Sequence, residues 1–138
     1  MKVFLDTPLL VYLNTVVDDE RRLVYEDFYL DVLTRYRPYT DVLVLDELIY
    51  VSRRKYGVPY AVTLEFVESI VLPYVAIVGL GEEEYREAAR LIERYNLKPS
   101  DALHVAAMKN TGIRLVVSED RELDRVPGVK RIWLPGAP

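Results

Sequence analysis

Apolar residues along the chain fall into short runs separated by longer stretches where they recur every third or fourth position. KVFL (2–5), DVLVL (41–45), YVAIV (74–78), RLVVS (114–118) and VKRIWL (129–134) have the length and β-branched content of strands. The stretches between them carry the helical period. Pro8 suits a first helical turn, which predicts a helix over about 8–16. Val24, Phe28 and Val32 mark a helix over 18–36, with Pro38 just beyond it. DELIYVSRRKYG predicts a helix capped by Asp46 and ended near Gly57. Pro59 opens another through about Val71, with Val62, Phe66 and Ile70 on one face. Tyr85, Ala88, Ile92 and Tyr95 form a stripe behind Glu82–Glu84, acids that suit a positive helix N-terminus. A last helix should run from Pro99 to about Asn110, where Ser100 or Asp101 is available to cap it.

Strands that alternate with helices imply a parallel sheet with helices on both faces. The expected fold is therefore a single α/β domain over residues 1–138, with about five short central strands. At 138 residues and 51% hydrophobic content the chain can bury a substantial core. No apolar run reaches the roughly 18 residues of a membrane span. Asp6 interrupts MKVFLDTPLLVYL, which is not read as a signal peptide. With no cysteine, disulfides and thiolate zinc sites are excluded, and one histidine cannot build a histidine-rich metal site. A cytoplasmic, membrane-free protein is expected. The absence of Gln and the abundance of Tyr, Val, Arg and Glu resemble a thermophile's composition. A net charge of −4 does not advertise wholesale nucleic-acid coating, although acids gathered around a cation would distort that measure.

Those acids have a pattern. In parallel sheets, sites form beyond the carboxyl ends of the strands. Asp6 follows the first predicted strand, Glu47 lies two residues past the second, and Asp120 two past the fourth. Asp101 begins a helix that feeds the fourth strand. Each alone is also an ordinary cap, so the joint placement carries the functional reading. Unit charges about 4 Å apart repel by about 4 kcal/mol at an effective dielectric near 20, so such a cluster needs a neutraliser. Oxygen-only ligands favour Mg²⁺ or Mn²⁺, which fits phosphodiester hydrolysis through an activated water.

A strand ending in LDT, then LDELIYV, LKPSDALHVAAMKNTG and LVVSEDRELDRVPGVKRIWL in that order, resembles a PIN domain, specifically the VapC-like toxin ribonucleases. The resemblance covers essentially the whole chain and is most specific from Leu97 to Leu134. It implies a Mg²⁺- or Mn²⁺-dependent endoribonuclease whose catalytic metal ligands match Asp6, Glu47, Asp101 and Asp120. Ser118 matches a hydroxyl that orients a neighbouring carboxylate or water, and Thr7 supplies another near Asp6. Pro8 departs from the small polar residue many members carry there. Asp46 is taken as a cap and Glu119 as an exposed loop acid. His104 is read as a histidine bonded within helix packing and left out of the site. The implied partners are an RNA substrate, a small antitoxin protein lying across a helical groove, and further copies of the chain in a homodimer or higher homo-oligomer. A housekeeping RNA-maturation nuclease or a non-catalytic binding module of the same fold are the rival readings.

Arg53, Arg54 and Lys55 form a basic cluster, either a solvated helix end or a phosphate track toward the acids. Of the 11 tyrosines, Tyr25, Tyr29, Tyr36, Tyr50 and Tyr56 are expected exposed, facing a partner.

Overall fold

The computed structural model describes residues 1–134. Five strands, β1 (Lys2–Leu5), β2 (Arg37–Asp41), β3 (Ala76–Val78), β4 (Leu115–Val117) and β5 (Lys130–Ile132), form one sheet in the order β3-β2-β1-β4-β5. Every neighbouring pair is parallel. The helices are α1 (Thr7–Thr15), α2 (Asp19–Arg35), α3 (Val42–Tyr56), α4 (Tyr60–Phe66), α5 (Glu82–Tyr95) and α6 (Pro99–Asn110). A π-helical turn (Val67–Val71) extends α4, and a 3₁₀ turn (Arg121–Arg125) follows β4.

Chain direction across the sheet decides the layers. The path moves from β1 to β2 to β3, then returns past β1 to β4. Crossovers between parallel strands are right-handed, so α1–α4 cover one face and α5 and α6 the other. α1 packs on α2 and α3, and α3 on α4, while α5 packs on α6. Val3, Phe4 and Leu5 of the central strand are fully buried between the layers, with Leu9, Leu10 and Leu48 on one side and Met108 and Val105 from α6. Each such side chain contributes about 1.5–3 kcal/mol by burial. Asn14 Nδ2 donates to the hydroxyls of Ser52 and Thr63 at 2.9 Å each, tying α1, α3 and α4 together.

The second strand is displaced from its expected place. DVLVL (41–45) is not a strand: β2 ends at Asp41, and Val42 begins α3. The apolar run reads equally as a buried helix, and Val44, Leu48 and Ser52, buried at four-residue spacing, show which period prevails. Asp41 caps α3, its carboxylate accepting from the Val44 N–H at 3.1 Å. Asp46 is therefore an exposed residue inside the helix and caps nothing. RPYTD makes a strand despite Pro38. Arg37 N–H donates to the Met1 carbonyl on one side, and pairing with β3 on the other begins only at Tyr39. The missing N–H of Pro38 thus falls where no ladder bond is due.

Other stripes are rotated. Thr63, Val67 and Val71 face the core, while Val62 and Ile70 are exposed. Val24 and Tyr85 are exposed, and Tyr29, expected outside, is buried with its hydroxyl donating to the Ile70 carbonyl at 2.6 Å. The outward residues leave an apolar groove of about 440 Å³ between α2 and α4, lined by Leu30, Leu33, Phe66, Ile70 and Tyr74. No helix among the described residues is long and apolar enough to cross a membrane.

Candidate metal centre

The sheet order reverses between β1 and β4, which places a crevice at their carboxyl ends. Asp6 leaves β1 there, its N–H donating to the Val117 carbonyl at 3.0 Å. Its Oδ1 accepts from the Thr7 N–H at 2.8 Å, capping α1, and its Oδ2 accepts from the Ser118 hydroxyl at 2.6 Å. The same hydroxyl oxygen accepts from the Asp120 N–H at 3.0 Å. Ser118 thus sets the position of one acid directly and of another through its backbone. Asp120 Oδ1 accepts from the Glu122 N–H at 3.0 Å, starting the 3₁₀ turn.

A helix that precedes a parallel strand runs antiparallel to it, so the N-terminus of α6 lies at the same edge. Asp101 stands in its first turn, but Lys98 is the cap residue and no side chain caps this helix. Asp101 is buried, and its Oδ2 has no hydrogen-bond partner. Burial, the adjacent Asp120 and the charge of Asp6 push its carboxyl up to about 7. Burial also opposes the charge of Asp120. The neighbouring Asp101 carboxyl, the Glu122 N–H and the charges of Lys98 and Arg125 outweigh it and hold Asp120 below the usual carboxylate range.

Glu47 stands apart. It lies in the second turn of α3, six residues beyond the end of β2 rather than two. Its Oε2 accepts from the Thr7 hydroxyl at 3.2 Å, and it lines a shallow pocket with Tyr12, Lys55, Tyr56 and Glu119. The basic cluster divides. Lys55 reaches that pocket, whereas Arg53 lies over the Tyr60 ring at 4.6 Å and shares a separate hollow with Arg54 and Tyr50. Glu119 is exposed and accepts from the Tyr12 hydroxyl.

Carboxylate oxygens of Asp6 and Asp101 and a ring nitrogen of His104 come within 4.8 Å of one another, as do oxygens of Asp101, Asp120 and Glu122. Asp101 belongs to both groups. Partnerless buried oxygen on Asp101, beside acids whose charges oppose its own, is what an oxygen-liganded divalent cation would satisfy.

Asp41 and Glu122 escape sequence reasoning here, which reads His104 only as a packing histidine. His104 is buried, and its Nδ1 lies 2.6 Å from Asp41 Oδ2, a contact between α6 and the end of β2. Burial lowers its pKa, but the bond to Asp41 and the charges of Asp41, Asp6 and Asp101 outweigh that and raise it. Glu122 has one buried oxygen without a partner. Asp41 was legible in principle, as the polar residue immediately before the four-residue repeat of α3. His104, three residues after Asp101 on the same helix, also carries a signal, whereas Glu122 carries none.

A family model described as PIN domain matches residues 3–129. A search of curated proteins found no significant match. Among solved structures, VapBC2 from Rickettsia felis, bound to a DNA fragment from its promoter, superposes with a TM-score of 0.71 at 19% identity, over 98% of this chain and 100% of the other. DNA-bound VapBC from Salmonella typhimurium gives 0.71 at 17%, over 98% and 99%. VapC20 from Mycobacterium tuberculosis, a sarcin-ricin loop cleaving toxin, gives 0.69 at 18%, over 86% and 89%.

Proposed function

The chain belongs to the PIN domain family, and from that premise we propose that it is a Mg²⁺- or Mn²⁺-dependent endoribonuclease, the toxin of a VapBC-type toxin–antitoxin pair. The observation that supports the reading is a pair of ligand clusters, Asp6–Asp101–His104 and Asp101–Asp120–Glu122, that share Asp101 and its buried, unpartnered oxygen. These three acids would hold the ion, with Glu47 contributing from the rim. When bound, the cation supplies a water acidified toward neutral pH and neutralises charge at the scissile phosphate.

The chain's own groups do the positioning. Ser118 keeps Asp6 and Asp120 in register, and the Thr7 hydroxyl holds the Glu47 carboxylate. Lys55, on the pocket wall beside Glu47, offers an ammonium to an incoming phosphate. Aromatic rings surround the same mouth: Tyr12 stacks on Tyr25 with centroids 4.8 Å apart, and Tyr56 lines the pocket. Of these rings Tyr56 is exposed, and an exposed ring takes an unpaired base by stacking. VapC20, of the same fold, is a toxin that cleaves the sarcin-ricin loop, which supports RNA as the substrate class.

For the antitoxin, the groove between α2 and α4 offers apolar walls flanked by Arg22 and Glu26, suited to an amphipathic segment. Two of the similar structures are VapBC complexes. Exposed Tyr60 and Leu64, one turn apart on α4, supply a second apolar surface for a homodimer, which sedimentation would detect. The decisive experiment incubates purified protein with total RNA and Mg²⁺, Mn²⁺ or EDTA and sequences the product ends. Discrete, metal-dependent cuts are expected. No cleavage with either metal, or cleavage indifferent to EDTA, would overturn the reading. Growth arrest on expression, relieved by a co-expressed antitoxin, separates the toxin from a maturation nuclease.

A further inference from the structure

We propose that His104 Nε2 is a ligand of the same cation, held in place by Asp41, so that the centre is a mixed nitrogen–oxygen site. The inference rests on the metal-dependent reading above and extends it to a residue outside the acid set.

Three observations lead there. First, His104 is only 3% exposed, and Nε2 is buried with no hydrogen-bond partner, although it faces carboxylates. An unpaired buried ring nitrogen requires a physical explanation. Second, Nε2 lies 3.9 Å from Asp6 Oδ1. That gap is too long for a hydrogen bond, whose donor and acceptor approach to about 3.2 Å or less. It suits two donors on one ion, because ligands each about 2.1 Å from a shared cation lie at most about 4.2 Å apart. An Asp101 oxygen lies within the same 4.8 Å circle. Third, the ring cannot turn away. Nδ1 is 2.6 Å from Asp41 Oδ2, and Phe4 packs against the ring with centroids 5.4 Å apart. A carboxylate on one imidazole nitrogen assigns the tautomer and presents the other nitrogen's lone pair to a metal. Asp41 is itself immobile, because it caps α3 through the Val44 N–H.

Imidazole nitrogen prefers Mn²⁺ and later transition ions to Mg²⁺. His104 would therefore tune which cation the acids retain.

The chain has one histidine, which makes the test unambiguous. Pulsed electron paramagnetic resonance on the Mn²⁺-loaded protein should show coupling to one directly bound imidazole nitrogen, and labelling with ¹⁵N-histidine should replace that signal. Calorimetric titration of the full chain adds an independent readout. His104→Asn keeps an amide near the Nδ1 position for Asp41 but removes Nε2. Its Mn²⁺ affinity should fall by about tenfold or more with a much smaller loss for Mg²⁺, and Asp41→Asn should weaken Mn²⁺ binding by about tenfold through the ring it orients. Mn²⁺ bound with no nitrogen coupling would overturn the inference and leave the acid site standing. Failure of the wild type to bind Mn²⁺ at all would overturn both. The wild-type spectrum decides the matter even where a variant fails to fold.

Discussion

Asp101 carries an electrostatic load that sets its response to pH. Its carboxyl titrates at about 7 in the folded protein, against about 3.9 in an unfolded chain. An acid raised on folding contributes stability that is complete below its unfolded value and lost as pH climbs through the folded one. The melting temperature of the metal-free protein should therefore fall as pH rises from about 4 to about 7. His104, also raised, adds to the loss in the same direction. Asp120, lowered, acts oppositely, its contribution disappearing as pH falls through its folded value. Asp101→Asn should shrink the fall between pH 4 and 7 without lowering stability at neutral pH, which thermal melts in a metal chelator would check. The same variant should lose RNA cleavage by about a hundredfold or more, since a ligand outranks the outer partners whose removal already costs 10–100-fold. Near-normal cleavage would remove Asp101 from the site.

Among the elements, α3 carries most of the consequence of where β2 stops. Because β2 ends at Asp41, one carboxylate both caps a helix and holds the buried His104 ring. Asp41→Ala would remove a cap worth about 1 kcal/mol and leave a buried ring nitrogen unpaired at a further 1–3 kcal/mol. Asp46→Ala, at an exposed position inside the same helix, should stay within about 0.5 kcal/mol of wild type. Urea unfolding of the two variants checks this directly; equal losses would mean that the cap lies at Asp46. The π-helical turn after α4 marks another local departure, and it turns Val67 and Val71 inward while Ile70 and Tyr74 border the groove.

At the scale of the molecule, the proposed RNA substrate would have to be held by a chain of net charge −4. A cation bound only to the folded chain stabilises it by RT ln(1 + [L]/Kd), about 2.7 kcal/mol at a hundredfold excess over Kd. Mn²⁺ should raise the melting temperature of wild type more than that of Asp6→Asn, and an equal shift would place the ion elsewhere, for example at Glu82–Glu84. RNA capture should rest on few phosphate contacts, each adding about −0.7 to the slope of log affinity against log salt for a single strand. Lys55 faces the acid pocket while Arg53 and Arg54 line another hollow. Lys55→Gln should then flatten the slope measured in Ca²⁺ more than Arg53→Gln or Arg54→Gln does. Loss of slope in the arginine variants alone would reverse that assignment.

The alternation of β-rich runs with helical periods was enough to establish a parallel α/β domain, because period and turn chemistry are local. The places of Asp6 and Asp120 just beyond β1 and β4 were equally legible, since those two apolar runs are strands that end close to where the sequence put them. The 41–45 run was not. Val and Leu pack as well in a buried helix as in a strand, and only the core presented by α1 selects the four-residue period of Val44, Leu48 and Ser52. That choice moved Glu47 into a second helical turn and exchanged Asp46 for Asp41 as the cap. Tertiary structure alone brought Asp41 and His104 together from positions 63 residues apart, because the crossover from β3 back to β4 brings the N-terminal half of α6 to the carboxyl ends of the central strands. The same crossover buried Asp101 near the charges of Asp6 and Asp120, which with burial raise its carboxyl far above that of an ordinary acid.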